Sequence, residues 1–286
     1  MTTMSKTILP PGFQKIGGNL MHVVRLPGLH PGGPSIALVH GIAAAGSTWL
    51  PLVRHLIRYA REIIYFDLPA HGLSPAPQLP FTCLACYQSA CECLIQNLSP
   101  ESNNLVIGNS LGGAFALKFA LEHPEYVARN VLISPAGLPF PESASAVLRL
   151  FCGNSLSDAN KVIDRIWVHP NLKARVLAPA LRHVMRKPAF KSLLDSIMEI
   201  DTNPSCELSK MIMTPEMLKQ YHTKSLLIWG GKDRVLPQTM RDEFDKCLPE
   251  CVTRLFPSGY GHCPQFEEPT RLAVQILDWI ENEALN

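Results

Sequence analysis

No stretch of this sequence reaches the ~20 uninterrupted apolar residues that a membrane-spanning helix needs; the nearest, Ile36 to Gly46, is interrupted by His40 and Gly41. Residues 1–20 hold Lys6, Pro10, Pro11 and Lys15 where a secretory signal would have an unbroken apolar core, so export is not expected. Charge is scarce and balanced: 17% of residues are charged, and 26 Lys and Arg against 24 Asp and Glu leave a formal charge of +2. A surface built for nucleic acid carries a far larger basic excess, and no nucleic-acid partner is expected. Internal repeats and low-complexity tracts are absent. Cysteine is present, but nine is an odd number scattered over a long chain, which excludes the disulfide framework of a small secreted domain and points to a reducing cytoplasm. Cys83-Leu-Ala-Cys86 and Cys91-Glu-Cys93 have metal-like spacing, yet they sit in the helical stretch around Leu84 to Leu98 with no second His or Cys pair downstream. They read as buried helix cysteines, and no metal is expected.

What is abundant is apolar material, 47% of 286 residues, ample for a large core. At roughly 150 residues per domain, the length suits one α/β domain with an insertion as well as two domains. Short β-rich runs alternate with helical stretches: Met21–Arg25, Ser35–Val39, Ile63–Phe66, Leu105–Ile107, Val131–Ile133, Leu226–Trp229 and Val252–Phe256. Most end in Gly, Pro, Asp or His, as buried parallel strands do, so the pattern predicts a doubly wound, mostly parallel α/β sheet. The alternation stops between Pro139 and Met213, where Pro141, Pro170, Pro179, Pro188 and Pro204 punctuate helical text. This predicts a core of residues 1–138 and 214–286, with residues 139–213 inserted between two strands as a helical cap. Within it Lys161, Arg165, Lys173, Arg175, Arg182, Arg186, Lys187 and Lys191 face Asp164 alone, a local surplus of seven positive charges. Such a surplus is either a solvated helical face or a surface that meets an anionic carrier or membrane.

Asn104 to Gly113 reads as a strand that meets a helix, Ala114 to His123, through Gly108-Asn-Ser110-Leu-Gly112, a nucleophile elbow. The turn is so tight that the positions two before and two after the serine must be small, and Gly108 and Gly112 meet that need. Ser110 is thereby expected at the sheet edge with its hydroxyl exposed. A serine hydroxyl is a weak nucleophile at neutral pH, so the chemistry calls for a histidine base and an orienting carboxylate, here in the order acid, then histidine. Asp233 follows the run Leu226–Trp229 and His262 follows Val252–Phe256. Both lie beyond the carboxyl ends of strands, where catalytic groups gather in open α/β sheets. Of the other histidines, His123, His169, His183 and His222 fall in helical or capping text, and the rest precede Ser110. The oxyanion needs two main-chain donors: the N–H of Leu111, next after the nucleophile, and that of Ile42, presented by the turn His40-Gly41. His40 itself reads as a structural loop residue, and the chemistry requires no cofactor.

Five segments, His40-Gly41, Asp67-Leu-Pro-Ala-His71-Gly72-Leu-Ser74, Gly108-Asn-Ser-Leu-Gly-Gly113, Gly231-Lys-Asp233 and Gly261-His262-Cys-Pro-Gln-Phe-Glu-Glu-Pro269, resemble the α/β-hydrolase superfamily in its serine esterase and lipase-like branch with a helical cap. The resemblance covers most of the chain outside 139–213. It implies structural roles for Asp67 and His71, glycine in the place of Ala70, and ester hydrolysis through an acyl-serine on a small-molecule or acyl-ester substrate. Serine at the elbow separates the chain from dehalogenases and epoxide hydrolases of this shape, which carry aspartate there. The Gly-Asn-Ser-x-Gly-Gly form is also similar to the carbon–carbon hydrolases of ring-fission products. Those carry tryptophan after the catalytic histidine, where Cys263 stands, and a cap arginine for which Arg182 is the candidate. A non-catalytic, ligand-binding use of the fold is the third reading.

Overall fold

A computed structural model describes residues 9–139, 141–202 and 207–285; Phe140, Pro204 and Cys206 lie outside them, as does the side chain of Lys173. Eight strands form one sheet: β1 (Phe13–Ile16), β2 (Asn19–Pro27), β3 (Ser35–Val39), β4 (Glu62–Phe66), β5 (Asn104–Asn109), β6 (Arg129–Ile133), β7 (Lys224–Ile228) and β8 (Val252–Leu255). Their order is β1-β2-β4-β3-β5-β6-β7-β8. From β4 onward in that order every pairing is parallel, while β1 and β2 add an antiparallel edge. The mostly parallel sheet thus forms as the sequence predicts. The hairpin strand β1 is an addition: only four residues long, it returns through Gly17-Gly18, with Gly17 at φ 52°, so that Ile16 faces Asn19. Two-residue hairpin loops need positive φ, which glycine supplies without strain.

The central strands are apolar on both faces because both faces are covered. Ile36, Leu38, Leu105, Ile107, Val131 and Ile133 pack under α1 (Leu50–Leu56) and α12 (Pro269–Leu285). Their alternates Ala37, Val39, Val106 and Leu132 meet α2 (Cys83–Asn97), α3 (Leu111–Glu122) and α10 (Gln238–Cys247).

Between β6 and β7 the described chain is helical: α4 (Glu142–Leu150), α5 (Leu156–Ile166), α6 (Leu172–Val176), α7 (Ala178–Met185), α8 (Pro188–Thr202) and α9 (Pro215–Lys219). Local chemistry starts these elements. Ser155 and Asp158 form a reciprocal capping box at α5, Asn171 and Thr214 cap α6 and α9, and Pro179 and Pro188 occupy first turns, where no N–H is needed. Leu148, Ile163, Met185 and Phe190 carry these helices into the core on the α2 and α3 side. The short α11 (Pro264–Glu267) links β8 to α12. Among the described residues no helix is long and apolar enough to cross a membrane.

Candidate active site

Ser110 stands between β5 and α3 at φ 57°, ψ −119°. A residue with a Cβ holds positive φ only where its surroundings enforce it. Here the Ser110 N–H donates to the Ile133 carbonyl, and the Ser110 carbonyl accepts from the N–H groups of Ala114 and Ala136, each over 3.0 Å. The turn leaves no room for neighbouring side chains. A Cβ on Gly108 would lie 2.2 Å from the Gly112 carbonyl oxygen, and one on Gly112 would lie 2.2 Å from that of Val39.

The hydroxyl is not exposed to bulk water as expected: Ser110 is 7% accessible, and residues of α4, α5 and α7 line one cavity with it. It opens instead into a chamber of about 430 Å³, which also takes in His262 and has Leu148, Ile163, Trp167 and Val184 in its walls.

Asp233 lies in the loop after β7 and His262 in the loop after β8, where the parallel order brings them beside the elbow. His262 Nδ1 and Asp233 Oδ2 are 2.8 Å apart, both side chains buried. The other carboxylate oxygen accepts from the N–H groups of Val235, over 2.8 Å, and Leu236, over 3.0 Å. Burial pushes the Asp233 carboxyl up, but the His262 ring and these hydrogen bonds outweigh it and hold the group below its ordinary value. An ionised carboxylate on Nδ1 assigns the ring proton to that nitrogen and leaves Nε2 as the basic one.

The family model of the alpha/beta hydrolase family matches residues 36–275. The chain belongs to that family. Its relatives include 2-hydroxy-6-oxo-6-phenylhexa-2,4-dienoate hydrolase of Burkholderia cepacia, 25% identical over 261 residues that cover 87% of this chain and 88% of the other. Monoacylglycerol lipase of Homo sapiens is 24% identical over 263 residues, covering 86% and 75%. Among solved structures, carboxylesterase CesB from Bacillus subtilis superposes with a TM-score of 0.76 at 19% identity, covering 94% of this chain and 90% of that one, a likeness of fold.

In this α/β hydrolase Ile42 and Leu111 line the chamber beside Ser110. The Leu111 N–H is the first amide of α3, one of the donors a helix leaves without an internal partner. Gly41 serves by contact and not by φ, since a Cβ there would lie 3.1 Å from that of Ser110. The positive φ of its loop falls at Ala43, 58°. His40 is spent on structure: Nδ1 donates to the Gly41 carbonyl over 2.8 Å, Nε2 accepts from the Leu68 N–H over 2.9 Å, and burial lowers its pKa.

Asp67 and His71 also stay out of the chamber lining. Asp67 Oδ1 accepts from the Gly46 N–H over 2.6 Å, and Oδ2 from the Leu73 N–H over 2.9 Å. Burial and the neighbouring His40 drive His71 down to about 3. Ala70 adopts φ 66°, which accounts for the glycine that the resemblance implies there.

Asn109 is the residue that sequence reasoning missed. Its Nδ2 donates to the carbonyls of Ile133, over 3.1 Å, and His262, over 3.0 Å, while Oδ1 accepts from Gln265 Nε2 over 3.0 Å and from Cys263 Sγ over 3.5 Å. Its only sequence signal was its place beside the serine in the Gly-Asn-Ser segment. Arg182, the candidate cap arginine, does not line the chamber; its Nε donates to the Asn154 carbonyl over 2.9 Å. On α2 Cys83, Cys86 and Cys93 are free and buried, and burial pushes the Cys83 thiol up to about 12.

Proposed function

We propose that this α/β hydrolase cleaves carboxylic esters through an acyl-serine intermediate, with Ser110 as nucleophile, His262 as base and Asp233 as its orienting carboxylate. The observation that carries the reading is the meeting, in one largely apolar chamber, of an elbow serine and a histidine whose Nδ1 is engaged by a buried, ionised carboxylate. His262 Nε2 takes the Ser110 proton as Oγ attacks the ester carbonyl, and Asp233 stabilises the imidazolium. The N–H groups of Leu111 and Ile42 hold the oxyanion. Collapse expels the alcohol, which takes the proton back from His262. His262 then deprotonates water, and a second collapse releases the acid and restores Ser110. Residues 139–213 act as a cap over a core of 1–138 and 214–286, and their apolar side chains give the acyl chain its binding surface. A reducing cytoplasm fits the odd cysteine number and the buried free thiols of α2.

Carbon–carbon hydrolysis is the second reading, favoured by the dienoate hydrolases among the relatives. Cys263 after His262 and the turning of Arg182 onto Asn154 weigh against it. A p-nitrophenyl ester chain-length series run beside a ring-fission dienoate decides between them: ester turnover without dienoate cleavage supports the first reading, and the reverse supports the second. Failure on both substrates, with no labelling by a fluorophosphonate, indicates a binding protein.

A further inference from the structure

Two groups stand out among the cations between 161 and 191; Arg165 lines another cleft with Asp233 and Arg234, and the side chain of Lys173 lies outside the described residues. Lys161 pairs with Asp158 over 3.2 Å, and Arg175 pairs with Asp164, so these belong to an ordinary solvated face. Lys191 lines a separate cleft together with Asp195 and Glu199. The second group sits on α7 and just beyond it. Arg182 and Arg186, and His183 and Lys187, are each four residues apart, the spacing that stacks side chains on one helix face. With Pro179 they line a cleft of about 440 Å³. Arg182 Nε and Lys187 Nζ donate to the main-chain carbonyls of Asn154 and Ala70, over 2.9 and 3.3 Å, and a neutral carbonyl leaves the positive charge uncompensated. Arg186 has no carboxylate partner among the described residues. The decisive feature is a shared wall: His183 and Lys187 line both this cleft and the apolar chamber that holds Ser110.

We propose that the cleft is a head-group subsite, and that the substrates are amphiphilic esters bearing a phosphate, with the acyl chain in the chamber and the phosphate among Arg182, Arg186 and Lys187. This rests on the ester-hydrolase reading of Ser110. Three cations around one cleft suit a group that carries about −1.5 to −2 charges and three acceptor oxygens, and the forked guanidinium matches phosphate bidentately. An acylated glycerol phosphate and an acylated sugar phosphate share that chemistry.

The test uses the full chain and monomeric substrates: octanoyl glycerol, octanoyl glycerol 3-phosphate and octanoyl glucose 6-phosphate. At low salt, kcat/KM for at least one phosphate ester exceeds that for octanoyl glycerol by about tenfold or more, and the ranking of the two phosphates identifies the source. The ratio falls toward one as added salt shortens the screening length, ~8 Å at physiological strength. It also falls in Arg186→Glu and less in Arg186→Gln. Binding supplies a readout independent of turnover. Octyl phosphate binds Ser110→Ala more tightly than does its neutral dimethyl ester, and that difference shrinks when Arg186→Glu is added. Should no ester be hydrolysed, the ester-hydrolase reading fails, and this binding pair alone still decides the subsite. Equal binding of the two octyl compounds overturns the proposal, as does a preference seen only on anionic vesicles, which would mark the patch as a membrane-docking surface.

Discussion

The Asn109 side chain donates from Nδ2 to the main-chain carbonyl of His262 over 3.0 Å, so the residue next to the elbow serine in sequence holds the loop that carries the histidine. Its second Nδ2 bond, to Ile133, ties the same amide to the neighbouring strand β6. Serine and histidine come from elements far apart in the chain, and this amide fixes one relative to the other. Such pre-organisation is what an attack geometry accurate to a fraction of an ångström requires.

Asn109→Ala therefore lowers kcat for a good ester by about 10²-fold, with a smaller change in KM. It also destabilises the fold by about 1–3 kcal/mol, because the His262 carbonyl loses its donor and Gln265 Nε2 its acceptor, while the Ile133 carbonyl keeps the Ser110 N–H. Asn109→Asp is worse, since it sets a carboxylate oxygen against the Ile133 and His262 carbonyls. Steady-state kinetics and urea midpoints check both, and wild-type kcat in Asn109→Ala would contradict the positioning role.

Gly108→Ala and Gly112→Ala each place a methyl 2.2 Å from a main-chain oxygen. Backbone cannot swing aside as a flexible side chain can, so each substitution costs about 2 kcal/mol or more. The expected signature is a lower urea midpoint at unchanged m-value, and a midpoint equal to wild type would show that the elbow is looser than described.

Asp233 links the site to pH. Its folded pKa is held below the ordinary 3.8, chiefly against the opposing effect of burial, by His262 and by the Leu236 and Val235 N–H groups. A depressed carboxylate stabilises the fold fully above its unfolded pKa and loses that contribution as pH falls through the folded value. The gap in melting temperature between wild type and Asp233→Asn is thus widest near neutrality and narrows as pH drops below 3.8. At neutral pH Asp233→Asn also lowers kcat by roughly 10⁴, by holding His262 in the wrong tautomer. A melting gap that widens with acidification would refute the charge assignment.

Thiol titration separates the cysteines. Cys152 is exposed, whereas Cys83, Cys86 and Cys93 are buried on α2 with thiols held protonated. In native protein near pH 8, Cys152 reacts with a disulfide reagent before Cys83, Cys86 and Cys93, which react only after denaturation. Rapid native labelling of Cys83 or Cys86 would show that α2 does not pack as described.

Much of this arrangement was legible in the sequence for definite reasons. The parallel strands are doubly buried, so Ile36–Val39 and Val131–Ile133 read as unbroken apolar runs, and the glycines flanking Ser110 mark a turn with no space for Cβ atoms. Strand β1 was missed because Phe13-Gln-Lys-Ile16 is short and half polar, and its pairing depends on the Gly17-Gly18 turn. Positive φ at Ala43 carries no glycine to mark it, and at Ala70 its one sign was the glycine that the resemblance implies there. The cavity around Ser110 is walled by helices more than thirty residues downstream, and the contact of Asn109 is with a loop some 150 residues away. Neither leaves a local pattern.

The most direct measurement is reaction of the protein with a fluorophosphonate, followed by mass mapping of the adduct and ester kinetics of Ser110→Ala. The predicted result is a single adduct on the peptide containing Ser110, absent from Ser110→Ala, together with a loss of ester hydrolysis on the order of 10⁴–10⁶. An adduct on another residue, or a Ser110→Ala variant that keeps more than about a tenth of wild-type activity, far above the residual expected of a triad variant, would contradict the assignment of Ser110 as nucleophile.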